Sequence, residues 1–167
     1  PVTVLRAAVI VGKGSASYEI MQYLVKRLPV IPFPRQARNK CQPVAISDVI
    51  KYLVGVLEVH ETAGEDFDIG GEDILTYVEM LKVLASLLDK RIIFVPFPFL
   101  NIRLYTYLAG LLTPIPNSIT RCLVEGLENE AICNDESIKK YLPFEPMSYK
   151  EAVLRTIPPE KQDNAPR

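Results

Sequence analysis

Val2-Thr3-Val4-Leu5-Arg6-Ala7-Ala8-Val9-Ile10-Val11-Gly12-Lys13-Gly14-Ser15 is the stretch on which the reading of this chain turns. Its apolar, β-branched run predicts a buried strand, Val4 to Val11, and Gly12 and Gly14 predict a loop at its end. Apolar spacing from about Tyr18 to Leu28 predicts a helix next. Such a unit can open a nucleotide-binding sheet, because loop amides and a helix N-terminus suit a phosphate. The pattern that chemistry needs, G-x-G-x-x-G, has Ser17 in place of its third glycine. The next apolar run, Val30-Ile31-Pro32-Phe33-Pro34, ends in Arg35 where an acidic residue would meet a ribose, and its prolines cannot donate to a central ladder. The opening stretch is therefore expected to be a late, interior strand of a sheet begun elsewhere.

Composition narrows the functional classes. The 167 residues are 49% hydrophobic and 23% charged, with a net charge of −1, so nothing favours nucleic acid or an anionic surface as partner. Cys41, Cys122 and Cys133 are widely spaced, without a CxxC, and read as reduced thiols of a cytoplasmic protein. His60 is the only histidine, which argues against a metal site and against a Ser/His/Asp arrangement.

Further along, Pro29, Pro32 and Pro34 predict an irregular segment. Arg35, Arg38 and Lys40 follow it, either as an anion site or as a solvated basic loop. Cys41 to Ile46 reads as a strand, with Ser47 or Asp48 capping a helix from Val49 to Val59. Phe67 to Ile69 reads as a strand, Gly70-Gly71 as a tight reversal, and Thr76 with Glu79 as a capping box for a helix on the sheet. Arg91 to Pro96 reads as an edge strand. The segment Asn101 to Leu112 is apolar nearly all round. It is bounded by Pro98 and Pro114, about 15 residues apart, and holds Arg103, so it is too short for a span of roughly 20 residues. A core helix is expected there. Its alternatives are a pocket wall, which would suit an apolar or lipid-like substrate, and a surface that sits on a membrane or partner. Helices are expected from Ser118 to about Leu127, near Tyr141, and from Tyr149 to about Ile157 behind a Ser148 cap, with a short strand at Ala131 to Cys133. One domain, 1–157, and a disordered tail, 158–167, complete the reading.

Three segments carry a family resemblance. Leu5-Arg6 followed by Gly12 resembles the late "L-R-P-x-x-x-x-G-P" strand of extended and atypical short-chain dehydrogenases/reductases, the NAD-dependent epimerase/dehydratase and NmrA-like proteins. Gln42-Pro43-Val44-Ala45-Ile46-Ser47-Asp48-Val49 resembles their "Q-P-V-x-V-x-D-V" junction. Phe67-Asp68-Ile69-Gly70-Gly71 with Leu75-Thr76-Tyr77-x-Glu79-Met80-Leu81 resembles their "F-x-I-G-G-x-x-x-L-T-Y-x-E-L" segment. The prolines expected after Leu-Arg and after Gly12 are Ala7 and Lys13 here.

The resemblance implies an α/β class: the C-terminal part of a Rossmann-like fold with a small mixed α+β substrate-side subdomain. It implies NAD or NADP as cofactor of a full-length parent, with Ala7, Ala8 and Val9 beside the nicotinamide ring. By the same carry-over, Gly12, Lys13, Gly14 and Ser15 lie at the substrate entrance, and Arg35, Arg38 and Gln42 bind a small-molecule substrate such as a nucleoside-diphosphate sugar. No Tyr has Lys four residues on; Tyr23 is followed by Lys26 and Arg27. With neither that pair nor the family's glycine loop, the chain is expected to start just after the catalytic helix, to hold no catalytic residue and to be inert alone. The alternative is part of a non-catalytic NmrA-like NAD(P)-sensing regulator or assembly protein. Uncovered sheet edges are expected to pair with a second copy.

Overall fold

A computed structural model describes residues 1–97, 107 and 115–157. The opening stretch forms two short strands, β1 (Val4–Ala7) and β2 (Ile10–Val11), separated by a bend at Ala8. β1 runs parallel to β6 (Asp66–Ile69), from Val4 opposite Asp66 to Ala7 opposite Ile69. β2 runs parallel to β5 (Val44–Ala45), and the Val44 amide donates to the Val9 carbonyl, 2.9 Å, across the break. This corrects the expectation of one buried strand. Val4 is 40% exposed and Arg6 and Ala7 are exposed, whereas Val9 and Val11 are buried. The cause is that β1 has one strand neighbour among the described residues, so only its Leu5 side meets the core. Arg6 lies on an ion cluster instead, 2.9 Å from both Asp66 and Asp68.

The turn after β2 puts Gly14 at φ 87°, and α1 (Ala16–Arg27) follows, burying Tyr18, Met21, Leu24 and Val25. The proline-rich segment after it is not irregular. β3 (Val30–Phe33) pairs parallel with β8 (Ile93–Pro96), Pro32 opposite Val95 and Phe33 opposite Pro96. A two-stranded ribbon has outer sides, where a missing proline donor costs no ladder bond. A 3-10 turn, Arg35–Arg38, then leads to β4 (Lys40–Cys41), antiparallel to β7 (Leu75–Thr76).

Helix α2 (Ile46–Glu58) starts earlier than its side chains suggest, and neither Ser47 nor Asp48 caps it. Asp48 is fully buried one turn inside and binds the Met147 amide, 2.7 Å, and Lys51 Nζ, 2.9 Å. Its inner face packs Val49 and Tyr52 on Val44, Phe67 and Ile69. Its outer face leaves Ile46, Ile50, Leu53, Val54 and Leu57 exposed, Leu57 to 83%.

Helix α3 (Tyr77–Leu87) opens on the expected Thr76–Glu79 capping box, and α6 (Tyr149–Thr156) on a matching Ser148–Glu151 box. Between them lie α4 (Asn117–Glu125), a 3-10 turn Gly126–Glu128, and α5 (Ile138–Tyr141). The larger apolar core joins α1, α3 and α6 through Tyr18, Leu24, Met80, Leu84 and Val153. The helix expected at Asn101 to Leu112 and the tail from Pro158 lie outside the described residues. No helix among the described residues is long and apolar enough to cross a membrane.

Candidate functional site

The bend between β1 and β2 is where the two halves of the opening stretch part, and both halves present small residues there. Ala7 and Ala8 line two cavities. One, of about 170 Å³, is closed by Arg6, Gln42, Asp68 and Cys133. The other, of about 310 Å³, lies toward α1 and α4 and adds Val9, Met21, Leu24, Tyr77 and Leu123. Ala131 borders both, held by its bridge to Cys41 and by donating from N–H to the Lys40 carbonyl, 2.9 Å. Ala7, Ala8 and Ala131 put methyl-sized side chains around the bend, so the backbone there is open to close approach.

The glycine turn at Gly12 to Ser15 is drawn in against α2 and β2. A Cβ at Gly12 would lie 2.5 Å from Ile46 Cγ2, so that glycine serves the packing of α2. Ser15 Oγ donates to the Ile10 carbonyl, 2.6 Å, and ties the turn back to β2. Lys13 is exposed.

Arg35 and Arg38 sit on the 3-10 turn and line a third cavity, of about 450 Å³, with Phe33, Asn39, Pro96 and Phe97. No carboxylate among the described residues pairs with either arginine. Arg38 lies over the Phe33 ring, 5.8 Å from its centroid. Asn39 fixes the turn by donating from Nδ2 to the Leu127 and Glu128 carbonyls, at 2.8 and 3.0 Å. Two guanidiniums on one cavity wall, one of them over an aromatic face, can donate to carboxylate or phosphate oxygens.

Gln42 stands apart from that cavity. Its Nε2 donates to the Gly71 carbonyl, 2.8 Å, and its Oε1 accepts from the Cys133 amide, 3.0 Å. The side chain straps β4 to the loop after β6. Gly70 and Gly71 permit this approach: a Cβ at Gly70 would meet Gln42, and one at Gly71 would land on the Pro43 carbonyl oxygen. The glycine pair thus serves close packing; neither residue has positive φ.

Several protonation equilibria are displaced here. Burial pushes the Cys133 thiol up to about 11, with Asp68 and Glu136 adding to the shift. Burial also raises Tyr77, whose hydroxyl meets the Cys41 thiol. Hydrogen bonding from Arg6 holds the Asp68 carboxyl below the usual range. No group of three or more His, Cys, Asp or Glu among the described residues could hold a metal ion.

Sequence reasoning did not find Phe97, Ala131 or the cavity walls in α4. Ala131 carries no polar signal, and its role comes from a single bridge to a distant strand. The Phe97-Pro98-Phe99 run was a visible aromatic cue, at the end of the strand that pairs with β3.

Comparison with known proteins places the fold. No family model matches the chain. It is 25% identical over 99 residues to NADH dehydrogenase [ubiquinone] 1 alpha subcomplex subunit 9, mitochondrial, of Arabidopsis thaliana, an alignment covering 58% of this chain and 25% of that protein. It superposes on Thermotoga maritima UDP-glucose 4-epimerase, crystallised with UDP-glucose, with a TM-score of 0.62 at 20% identity, over 92% of this chain and 44% of the epimerase. It superposes on Bacillus cereus UDP-glucuronic acid 4-epimerase, in complex with UDP-glucuronic acid and NAD, with a TM-score of 0.60 at 15% identity, over 93% and 44%. The chain thus spans a quarter of the plant subunit and less than half of either epimerase.

Proposed function

We propose, from a Rossmann-like fold shared with NAD-dependent epimerases and dehydratases, that this chain forms the substrate-facing side of an NAD(P)-dependent reductase or epimerase. The bend at Ala7, Ala8 and Val9 receives the nicotinamide end of the cofactor, which supplies hydride transfer when bound. Gly12, Lys13, Gly14 and Ser15 border the way in. Arg35 and Arg38 pair with the diphosphate of a nucleoside-diphosphate substrate, and Phe33 and Phe97 offer faces for its planar part. The acid–base tyrosine and lysine come from outside these 167 residues.

The observation that carries the reading is the pair of guanidiniums without a carboxylate partner among the described residues, set in an aromatic-walled cavity. Calorimetric titration of the chain with UDP-glucose tests it. Binding should weaken about tenfold on Arg38→Ala and more on the double Arg35→Ala/Arg38→Ala change, each charge-assisted contact contributing about 1.5 kcal/mol. Unchanged affinity in the double variant would remove the anion site. Titration with NADH and NADPH tests the cofactor end separately.

The plant NADH dehydrogenase subunit favours a second reading, a structural or assembly protein that keeps the fold without turnover. Cofactor binding without oxidation of NADPH in the presence of substrate distinguishes it from the enzyme.

A further inference from the structure

The cavity of about 310 Å³ behind the bend has a chemistry at odds with a sugar. Among the described residues its walls include Ile20, Met21, Leu24, Leu81, Leu123 and Val124, and the polar side chains reaching it are Ser17, Tyr77 and Cys122. A hexose carries hydroxyls around its whole ring. Each one buried without a partner gives up its hydrogen bonds to water without replacing them. Tyr77 already faces the Cys41 thiol, which leaves Ser17 and the weakly bonding Cys122 thiol to serve them all.

The 3-10 turn that carries the arginines also borders this space. Ala37, between Arg35 and Arg38 and 4% exposed, faces the apolar cavity, while the two arginines face the basic one. Leu127, whose carbonyl Asn39 holds, lines the apolar side. One short turn thus presents charge on one flank and hydrocarbon on the other.

We infer that the cavity behind Ala7 to Val9 binds a linear aliphatic chain, so that the substrate carries a hydrocarbon segment in addition to the anionic end held by Arg35 and Arg38. This deepens the functional reading above and rests on it for the anionic end only. At roughly 30 Å³ for a group the size of a water or methylene, the space takes about ten carbons. Burying such a chain removes apolar surface from water, which is favourable in proportion to its length.

Cys122 gives a local readout, because it is exposed and lines this cavity, whereas Cys133 lines two others. Alkylation of the chain by iodoacetamide, resolved by peptide mass spectrometry, is followed with 1-decanol or with UDP-glucose added. Decanol at about ten times its dissociation constant should slow Cys122 about tenfold, leave Cys133 unchanged, and have no counterpart with UDP-glucose. Gly126→Phe should abolish the protection and Gly126→Ala keep it. Gly126 lines the cavity in helical conformation, with nothing within 4 Å of an added Cβ, so Gly126→Ala adds no strain, and an unchanged circular dichroism spectrum and melting curve confirm that the Gly126→Phe chain is folded. Decanol without effect on Cys122, equal slowing of both cysteines, or protection that survives Gly126→Phe would overturn the inference. Cofactor titration without decanol is read separately, because Ala7, Ala8 and Val9 line this cavity as well: no NADPH binding with decanol protection intact would end the reductase reading and leave the aliphatic site standing.

Discussion

Asp48 in α2 accepts a 2.7 Å hydrogen bond from the amide of Met147, 99 positions further on. With Lys51 Nζ on its other oxygen, this fully buried carboxylate fastens the segment before α6 to the first turn of α2. Asp48→Ala strands that amide and removes the partner of Lys51. The expected loss is about 3 kcal/mol, a fall in Tm of roughly 6–12 °C. Asp48→Asn keeps an acceptor for Met147 and should lose about half as much. Urea denaturation followed by far-ultraviolet circular dichroism measures both.

Gly71→Ala should be among the most damaging single-methyl additions. Its Cβ would fall on the Pro43 carbonyl oxygen, which accepts the Gly71 amide at 3.0 Å, with the Met147 oxygen 3.2 Å away on backbone that cannot rotate aside. A cost of about 2 kcal/mol or more is expected. Gly126→Ala, with open space around the added methyl, should cost little; the same denaturation curves compare the two.

Acid sensitivity follows from two carboxylates. Hydrogen bonding from Arg6, then from the Asn134 amide, lowers Asp68, and hydrogen bonds from the Thr76 backbone and hydroxyl lower Glu79. A group lowered on folding binds fewer protons folded than unfolded. Its stabilisation is complete above the ordinary carboxylate range and disappears as pH falls through the lowered folded value. Urea midpoints should hold from neutral pH to about 5 and then fall toward about 3. Arg6→Ala should lessen the fall by releasing Asp68; an unchanged acid limb would show that the Arg6 cluster is not coupled to folding.

Cys133 should alkylate slowly near neutrality. Its thiol is pushed up to about 11, first by burial and then by Asp68 and Glu136. Because the thiolate reacts, the rate should climb about tenfold per pH unit through the mildly alkaline range without a plateau. Asp68→Asn should raise the Cys133 rate at fixed pH by removing a facing negative charge. A plateau near pH 9 would contradict the shift.

The fold class was readable from apolar runs with turn chemistry at their ends, and the strands β1, β2, β5 and β6 within the three motif segments pair in parallel, while Leu75-Thr76 pairs antiparallel with β4. The Thr76–Glu79 box was legible because its chemistry is contained in four residues. What failed was long-range. Pro32 argued against a strand, yet β3 forms because only one of its edges needs donors. Asp48 looked like a cap because a helix-start acid usually is one, and nothing local announces that Met147 will approach it. Arg35 and Arg38 were legible as an anion site or a basic loop. The apolar cavity behind the bend was not, since its walls come from α1, α3 and α4, and no sequence spacing links Ala8 to Leu123.

The outward row on α2 makes colloidal behaviour, rather than unfolding, the quantity that limits working concentrations of this chain. Five large aliphatic side chains face water along one helix, and a net charge of −1 gives almost no mutual repulsion to offset them. Light scattering near neutral pH should report net attraction between molecules. Leu57→Glu should weaken that attraction while leaving the melting curve where it was.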